Sequence, residues 1–406
     1  MRRGEVPQFG PLQGVRVMHA TNSVAGPFAA EMMAEYGADV IWLENNIFPD
    51  YQRAGTGTTA EQDRRNQRTI SVDIPSPGGK EIFLRLLKNI DIFIECSKFG
   101  QYDKWGLTDE VMWQQNPRLI IAHITGFGQY GDPGHIRRPS YDPIAQAFGC
   151  YMGFNGFPDR IPIPAAPVVA DYLTGMYTAF AAMAALHRVQ QTGIGESIDS
   201  AQYEIVMRCQ AGYAIKYFET GELPNRAGDR SFSFCGYGNY TCKDGVQVFL
   251  LTVGPGIYPK SVEFFGLNGL YEGKKMPQYC AFDAPEAEEY EAAVEKYVSE
   301  HTAEEAEREM LKAGIPCSRL LTYETAKDNP HYIAREVFTS WKSFSGRELT
   351  GINVFPKLKN NPGQIWRPCP SIGMDNEDIL KDIGYSVEEI AEFYEANAIG
   401  KGPLNI

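Results

Sequence analysis

The chain has 406 residues, 43% of them hydrophobic and 22% charged, and a formal net charge of −13. That length predicts two domains rather than one core. The acidic balance speaks against general nucleic-acid binding, which needs a basic face. The eight cysteines, Cys96, Cys150, Cys209, Cys235, Cys242, Cys280, Cys317 and Cys369, form no CxxC pair and read as reduced thiols of a cytoplasmic protein. The start MRRGEVPQFGPLQG has no apolar signal-peptide core, and no apolar run reaches membrane-spanning length uninterrupted, so no membrane association is expected.

Residues 12–44 predict a βαβ unit. LQGVRVMHAT reads as a strand, NSVAGP as a turn, Phe28–Tyr36 as a helix capped by Gly37, and ADVIWLE as a second strand. The dinucleotide fingerprint GxGxxG is missing. Ala25 and Gly26 are small enough to admit a ligand to the backbone at the helix start, and they suit a plain tight turn equally well. Residues 46–68 are polar and end in EQDRRNQR. TISVDI then reads as a short strand, Gly79–Leu87 as a helix and DIFIEC as a strand. SKFGQYDKWGL follows that strand's carboxyl end, where ligands of open α/β sheets sit. Lys98 and Lys104 there are candidates for phosphate contacts, or two solvated lysines. RLIIAHITGFG is a further strand, and GQYGDPGHIRRPSYDPIAQAF a loop running into a helix.

Ala165 to Val189 is a long apolar run with a single carboxylate, Asp171, at its front edge. It predicts a helix apolar nearly all round and therefore buried. Asp171 suits an N-cap, where the helix dipole favours negative charge. It also suits a nucleophile, since carboxylates attack acyl and phosphoryl centres. Spacing does not choose between the two. SIDSA is the next strand, followed by a helix over Tyr203–Tyr217. The alternation through residues 12–215 predicts a doubly wound, largely parallel sheet. Composition changes near Gly221. NYTCKDGVQVFLL predicts a hairpin turning at Asp244-Gly245, and two charged amphipathic helices follow. We therefore expect a large domain over 1–220, a smaller α+β domain over 221–327, and a C-terminal segment over 328–406. That segment is too thin in apolar residues to form its own core. No HExxH, GxSxG or Walker A sequence occurs, which leaves chemistry by carboxylates and backbone amides, or none.

Several stretches are similar to one family, in the same order over nearly the whole chain. They are LQGVRV with AGPFAAEMMAEYGADVIWLE, TGFGQYG, SYDPIAQAF, the Ala-Asp-Tyr before the apolar helix, TGIGESIDSAQYE, GIPCSRLLT, DNPHYIARE and PSIGMDNEDILKDIGYSVEEI. Together they resemble the family III CoA-transferases. FPKLKNNPGQIWR and QFGPL resemble the branch of that family that handles carnitine. The resemblance implies a Rossmann-like domain with a smaller α+β domain, in ring-shaped chains interlocked as a homodimer. It implies that Asp171 attacks an acyl-CoA thioester to give a mixed anhydride. CoA thiolate then forms an aspartyl-CoA thioester, and an acceptor carboxylate reverses the steps.

The substrates implied are acyl-CoA and a small carboxylic acid, with no metal and no permanently bound cofactor. Carnitine, crotonobetaine or γ-butyrobetaine would be the acyl groups, and other 2-hydroxy or short-chain acids are the alternative. Aromatic faces hold a quaternary ammonium well, and Phe148–Phe157 and Phe232–Tyr240 are candidate stretches. CoA contacts are implied at Val24, Ala25, Val72, Ser97, Lys98 and Lys104, with Arg138 and Tyr141 near the thiol arm or acyl group. An oxyanion loop is implied at Gly254 and Gly256. Pro255 between them lacks an N–H and so offers fewer donors. Two competing readings share the fold. An α-methylacyl-CoA racemase would need a histidine where Tyr141 precedes Asp142. A non-catalytic acyl-CoA-binding protein would bind the thioester without a covalent intermediate.

Overall fold

The computed structural model describes residues 1–45, 47–54, 57–223, 225–231 and 233–402. The chain forms two compact units. One comprises Met1–Tyr151, Ala165–Ala211 and Arg335–Ile406, the other Met152–Pro164 and Gly212–Ala334. Residues 152–164, which the sequence reading leaves inside the first domain, thus belong to the second unit. The C-terminal segment belongs to the first.

The first unit is built on a six-stranded parallel sheet of β1 (Arg16–Ala20), β2 (Asp39–Glu44), β3 (Gln67–Ser71), β4 (Ile92–Glu95), β5 (Ile120–Thr125) and β6 (Glu196–Ala201), in the order β3-β2-β1-β4-β5-β6. Every pairing is parallel, as the alternating sequence predicts. Side chains alternate between faces with period two. Met18, Ile41, Phe93 and Ile121 pack on one side with Ile82, Phe83 and Leu86 of the helix Pro77–Leu87. Val17, Val40, Ile92 and Ile120 pack on the other with Ala29, Ala30 and Met33 of α1 (Ala25–Glu35) and Ala182 and Leu186 of the long helix Val169–Thr192. The order reverses between β1 and β4, which opens a crevice at the carboxyl ends of those strands.

Two expectations are corrected. The long helix is buried on one face only. That face is made of small residues, Ala170, Thr174, Gly175, Thr178, Ala179 and Ala182. Met176, Tyr177 and Phe180 face outward, Phe180 with 75% of its surface exposed. An apolar composition predicts burial, but the small side chains are what let this helix lie close to α1, so they take the inner face. The single helix expected over Tyr203–Tyr217 is two, Gln202–Arg208 and Tyr213–Thr220. They are separated where Ala211 takes φ +50. Gln210 is buried and its amide donates to the Gly149 carbonyl, which ties down the break.

The polar stretch before β3 is buried, not solvated. Arg65 pairs with Glu31 at 3.2 Å and also with Glu35, Arg68 pairs with Asp39 at 2.7 Å, and Arg64 pairs with Asp50. The returning C-terminal segment covers this edge of the sheet. Thr69 N–H donates to Asp375 Oδ2 and Ser71 N–H to Asn376 Oδ1, both at 2.9 Å, and Val72 forms an antiparallel bridge with Ile399. Covering an edge strand removes a template for mispairing.

The second unit holds an antiparallel sheet of β7 (Tyr237–Thr241), β8 (Gln247–Leu251) and β9 (Cys317–Arg319), in that order. Gly245 in the β7–β8 turn takes φ +79. The helices Ala287–Glu300 and Ala303–Ala313 supply Tyr290, Val294, Ala306 and Met310 to its core, with Val248 and Leu250 from β8.

Asn66 is the most telling contact of the covered edge. It sits at φ +62, where asparagine is tolerated better than most residues. Its Oδ1 accepts from Trp366 N–H at 2.8 Å and Arg367 N–H at 3.2 Å, and its Nδ2 donates to Gln364 O at 2.6 Å. Asn66→Ala orphans these groups and should cost about 2–4 kcal/mol in urea unfolding. Limited proteolysis should cut the segment after Arg335 faster. An unchanged unfolding midpoint would contradict this account of how the segment is held.

Candidate active site

The crevice between β1 and β4 contains a cavity of about 400 Å³. Its walls include Asn22 and Ser23 from the β1–α1 turn, Ala25 and Gly26 at the start of α1, Ser97 and Lys98 after β4, Arg138 and Tyr141 from the loop after β5, and Asp171 and Gln202. A second cavity of about 360 Å³ shares Asn22 and Ser97 and extends past Val72 and Asp73 to Tyr102 and Trp105. Of the residues singled out from sequence, the structure therefore brings Ala25, Ser97, Lys98, Arg138, Tyr141 and Asp171 to the first cavity and Val72 and Ser97 to the second. Val24 and Lys104 line neither. Val24 is the N-cap of α1, with its side chain buried and its carbonyl accepting from Phe28 N–H at 2.9 Å. Lys104 ends the short helix Gln101–Lys104 and is exposed. Trp105, one residue on, points into the second cavity instead. Gly254 and Gly256 lie in the second unit, in the turn between β8 and the helix Tyr258–Phe264. The Gly254 N–H is already used, donating to Gln278 O at 2.7 Å. Phe232 lies outside the described residues.

Asp171 is in the first turn of the long helix but does not cap it. The N-cap position is Val168, which makes no side-chain capping bond. The capping carboxylate is Asp142, one residue into the helix Asp142–Phe148. Its Oδ1 accepts from Ala170 N–H at 2.7 Å and Asp171 N–H at 3.2 Å. Gln146 on the next turn donates to Asp142 Oδ2 at 2.7 Å. The Gln146 amide also exchanges bonds of 2.8 and 3.0 Å with the backbone of Ala165. The chain entering the long helix is thus held by buried side chains, and the Asp171 carboxylate is left free to face the cavity. Gln202 donates to its Oδ1. Burial, then the neighbouring Asp142 charge, raises the Asp171 pKa to about 6, against the Gln202 hydrogen bond, which lowers it. At neutral pH it remains ionised and is more basic than an ordinary carboxylate.

Close backbone approach brings the walls together. A Cβ at Gly175 would lie 2.7 Å from Ala25 O, so only glycine lets the long helix sit against the start of α1. A Cβ at Gly126 would lie 2.1 Å from Ser140 Cβ. Ser23 is held at φ +65 by Asp50, which accepts its N–H at 3.2 Å, and by Arg64, which donates to its carbonyl. Behind Ser97 lies a buried charge cluster. Glu95 accepts the Ser97 N–H at 2.6 Å and pairs with His123 Nδ1 at 2.7 Å, while His123 Nε2 reaches Asp109 at 3.0 Å. Burial works against a charge on His123, but the hydrogen bonds and ion pairs outweigh it and raise its pKa to about 10.

The sequence reading missed Asp142 as the cap, and it missed Gln202. A polar residue at the junction of the last parallel strand and the following helix was the available signal for Gln202, because that junction lies at the carboxyl edge of the sheet. Among the described residues, no group of three or more His, Cys, Asp or Glu could hold a metal ion, and no helix is long and apolar enough to cross a membrane.

Residues 12–376 match the sequence pattern of CoA-transferase family III. The chain belongs to this family. It is 41% identical over 395 residues to an L-carnitine CoA-transferase of Proteus sp. (strain LE138), covering 96% of this chain and 97% of that one. It is similar in structure to a CAIB/BAIF family protein from Brucella suis, with a TM-score of 0.79 and 26% identity over 93% of this chain and 100% of that chain. A protein from M. tuberculosis shares the fold at a TM-score of 0.80 and 22% identity, over 91% of this chain and 99% of that chain. The chain is accordingly a CoA-transferase, with CoA thioesters as substrates.

The shift on Asp171 makes a direct prediction for this enzyme. A carboxyl ¹³C titration should give Asp171 a midpoint near pH 6. Asp142→Asn keeps an oxygen for the helix cap but removes the adjacent charge, so the midpoint should fall. A midpoint that stays put would show that Asp142 does not act on Asp171 through its charge.

Proposed function

We propose that the enzyme moves CoA reversibly between an acyl-CoA and a free carboxylic acid with Asp171 as the nucleophile. The observation that carries this reading is an ionised, half-buried carboxylate aimed into the family's α/β crevice with a raised pKa. Asp171 attacks the thioester carbonyl, the C–S bond breaks, and a mixed anhydride and CoA thiolate form. The thiolate then attacks Asp171 Cγ, releasing the donor acid and leaving an aspartyl-CoA thioester. The acceptor carboxylate repeats both steps in reverse. Desolvation makes the carboxylate the stronger nucleophile, and all charge transfers stay within oxygen and sulfur atoms of enzyme and substrates.

Backbone at Ala25, with Ser97 and Lys98, would hold the thiol arm and a phosphate, and the cavity past Val72 has room for the nucleotide end. Arg138 and Tyr141 would contact the acyl group or thiol arm. We infer that the acyl groups are trimethylammonium acids, carnitine, crotonobetaine or γ-butyrobetaine, on the strength of the 41% identity to the Proteus enzyme. Tyr141 is an aromatic face on the cavity wall that suits such a cation. We further infer an interlocked homodimer in the cytoplasm. The outward row Met176, Tyr177 and Phe180 supports a partner covering the long helix, since adjacent large apolar side chains are rarely left to water.

Asp171→Asn should lower transfer by at least about 10³-fold. Because it removes a charge whose burial disfavours the folded state near neutral pH, it should leave thermal stability equal or slightly higher. Full-rate transfer by this variant would end the nucleophile assignment. A panel of acids offered as acceptors from one acyl-CoA should rank carnitine and γ-butyrobetaine above short unbranched acids. Light scattering should give a dimer mass for the enzyme. A parent enzyme of monomer mass would refute the dimer.

A further inference from the structure

We propose that Gln202 is a second catalytic residue: its side-chain amide holds the Asp171 oxygen that becomes the acyl carbonyl and stabilises the charge gathering there when Cγ is attacked. This rests on the reading of Asp171 as the nucleophile. Gln202 is the first residue of the helix Gln202–Arg208, directly after β6, and is only 6% exposed although it lines the cavity. An amide buried at such a place costs free energy unless both of its ends are bonded. Here both are: Nε2 donates to Asp171 Oδ1, and Oε1 accepts from Ser140 Oγ at 3.4 Å. A carboxylate only accepts, so the nitrogen must face Asp171.

The two carboxylate oxygens are therefore not equivalent. Among the described residues nothing donates to Oδ2, which leaves it as the attacking atom. Oδ2 forms the new bond to the acyl carbon as the C–S bond breaks and CoA leaves as thiolate. Oδ1, still under the Gln202 N–H, becomes the carbonyl oxygen of the aspartyl half of the anhydride. When the thiolate adds to Cγ, the electron pair of that C=O moves onto Oδ1. It returns as the Cγ–Oδ2 bond breaks and Oδ2 departs with the donor acid. The same oxygen takes the charge again when the acceptor carboxylate attacks the aspartyl-CoA thioester. A donor fixed beforehand on the atom where charge develops is the arrangement that lowers such barriers. The other charged or titratable groups around Asp171 and its cavity are Asp142, Tyr172, Cys96, Lys98, Arg137, Arg138 and Tyr141. None of them donates to Oδ1 among the described residues.

The experiment uses the full-length enzyme and two variants. Gln202→Met keeps the length and loses the donor. Gln202→Glu keeps the shape, and at a pH where it is ionised its carboxylate accepts but does not donate. Both should lower kcat by about 10²–10³-fold while the Kd for free CoA, measured by calorimetry, stays within about twofold. The acidic limb of the pH–rate profile should move to higher pH, because the bond that favours the ionised carboxylate is gone. A residue that merely packs would not move that limb. In parallel, enzyme incubated with acyl-CoA and no acceptor is digested and analysed by mass spectrometry. A CoA adduct on the peptide carrying Asp171 in the parent, formed more slowly in both variants, is the expected result. If the adduct forms in the parent and either folded variant retains the parental kcat and pH limb, the role of Gln202 is overturned while the nucleophile stands. If the parent forms no adduct, both fall.

Discussion

The site depends on how closely two helices approach. The long helix Val169–Thr192 reaches α1 where Gly175 faces the Ala25 carbonyl, with no room for a side chain. That approach places the start of α1 and the first turn of the long helix on the same cavity. The small inner face of the long helix, Ala170 through Ala182, follows from the same requirement, and so does the outward display of its large residues. Packing at backbone distance trades the burial of large side chains for the position of two helix starts.

Within that frame two carboxylates divide the work at the start of the long helix. Asp142 is buried and spends its oxygens on the helix start and on Gln146. Asp171, relieved of capping, keeps one oxygen open toward the cavity. Burial raises the basicity of Asp171, and the proximity of the Asp142 charge adds to this. A carboxylate that itself capped the helix would be held by the backbone amides, and its pKa would be lowered by them.

The charged stretch before β3 shows a different use of burial. Arg64, Arg65 and Arg68 are almost wholly removed from water, each with a carboxylate partner. Buried pairs of this kind add little net stability, while loss of one partner is costly. Here they fix neighbouring backbone: the Asp50–Arg64 pair pins the strained turn at Ser23 on the cavity wall. The returning C-terminal segment seals the outer edge of β3 through Asn66, Thr69 and Ser71. The wall of the site thus rests partly on residues more than three hundred positions away in sequence.

The βαβ opening, the parallel sheet and the place of Asp171 at the front of an apolar helix were legible from residue order, because they follow from local periodicity and from turn chemistry. Family motifs extended this to the reaction class. What the order of residues left open was which face of the long helix is inside, which acid caps it, and where the charged run of residues 61–68 goes. Those answers depend on partners distant in sequence: Ala25 for Gly175, Asp142 for the amides of Ala170 and Asp171, and Trp366 and Arg367 for Asn66. Hydrophobic pattern reports a residue's average preference for water. Only the folded chain decides which neighbour meets it, and so whether an arginine is solvated or a carboxylate is free to react.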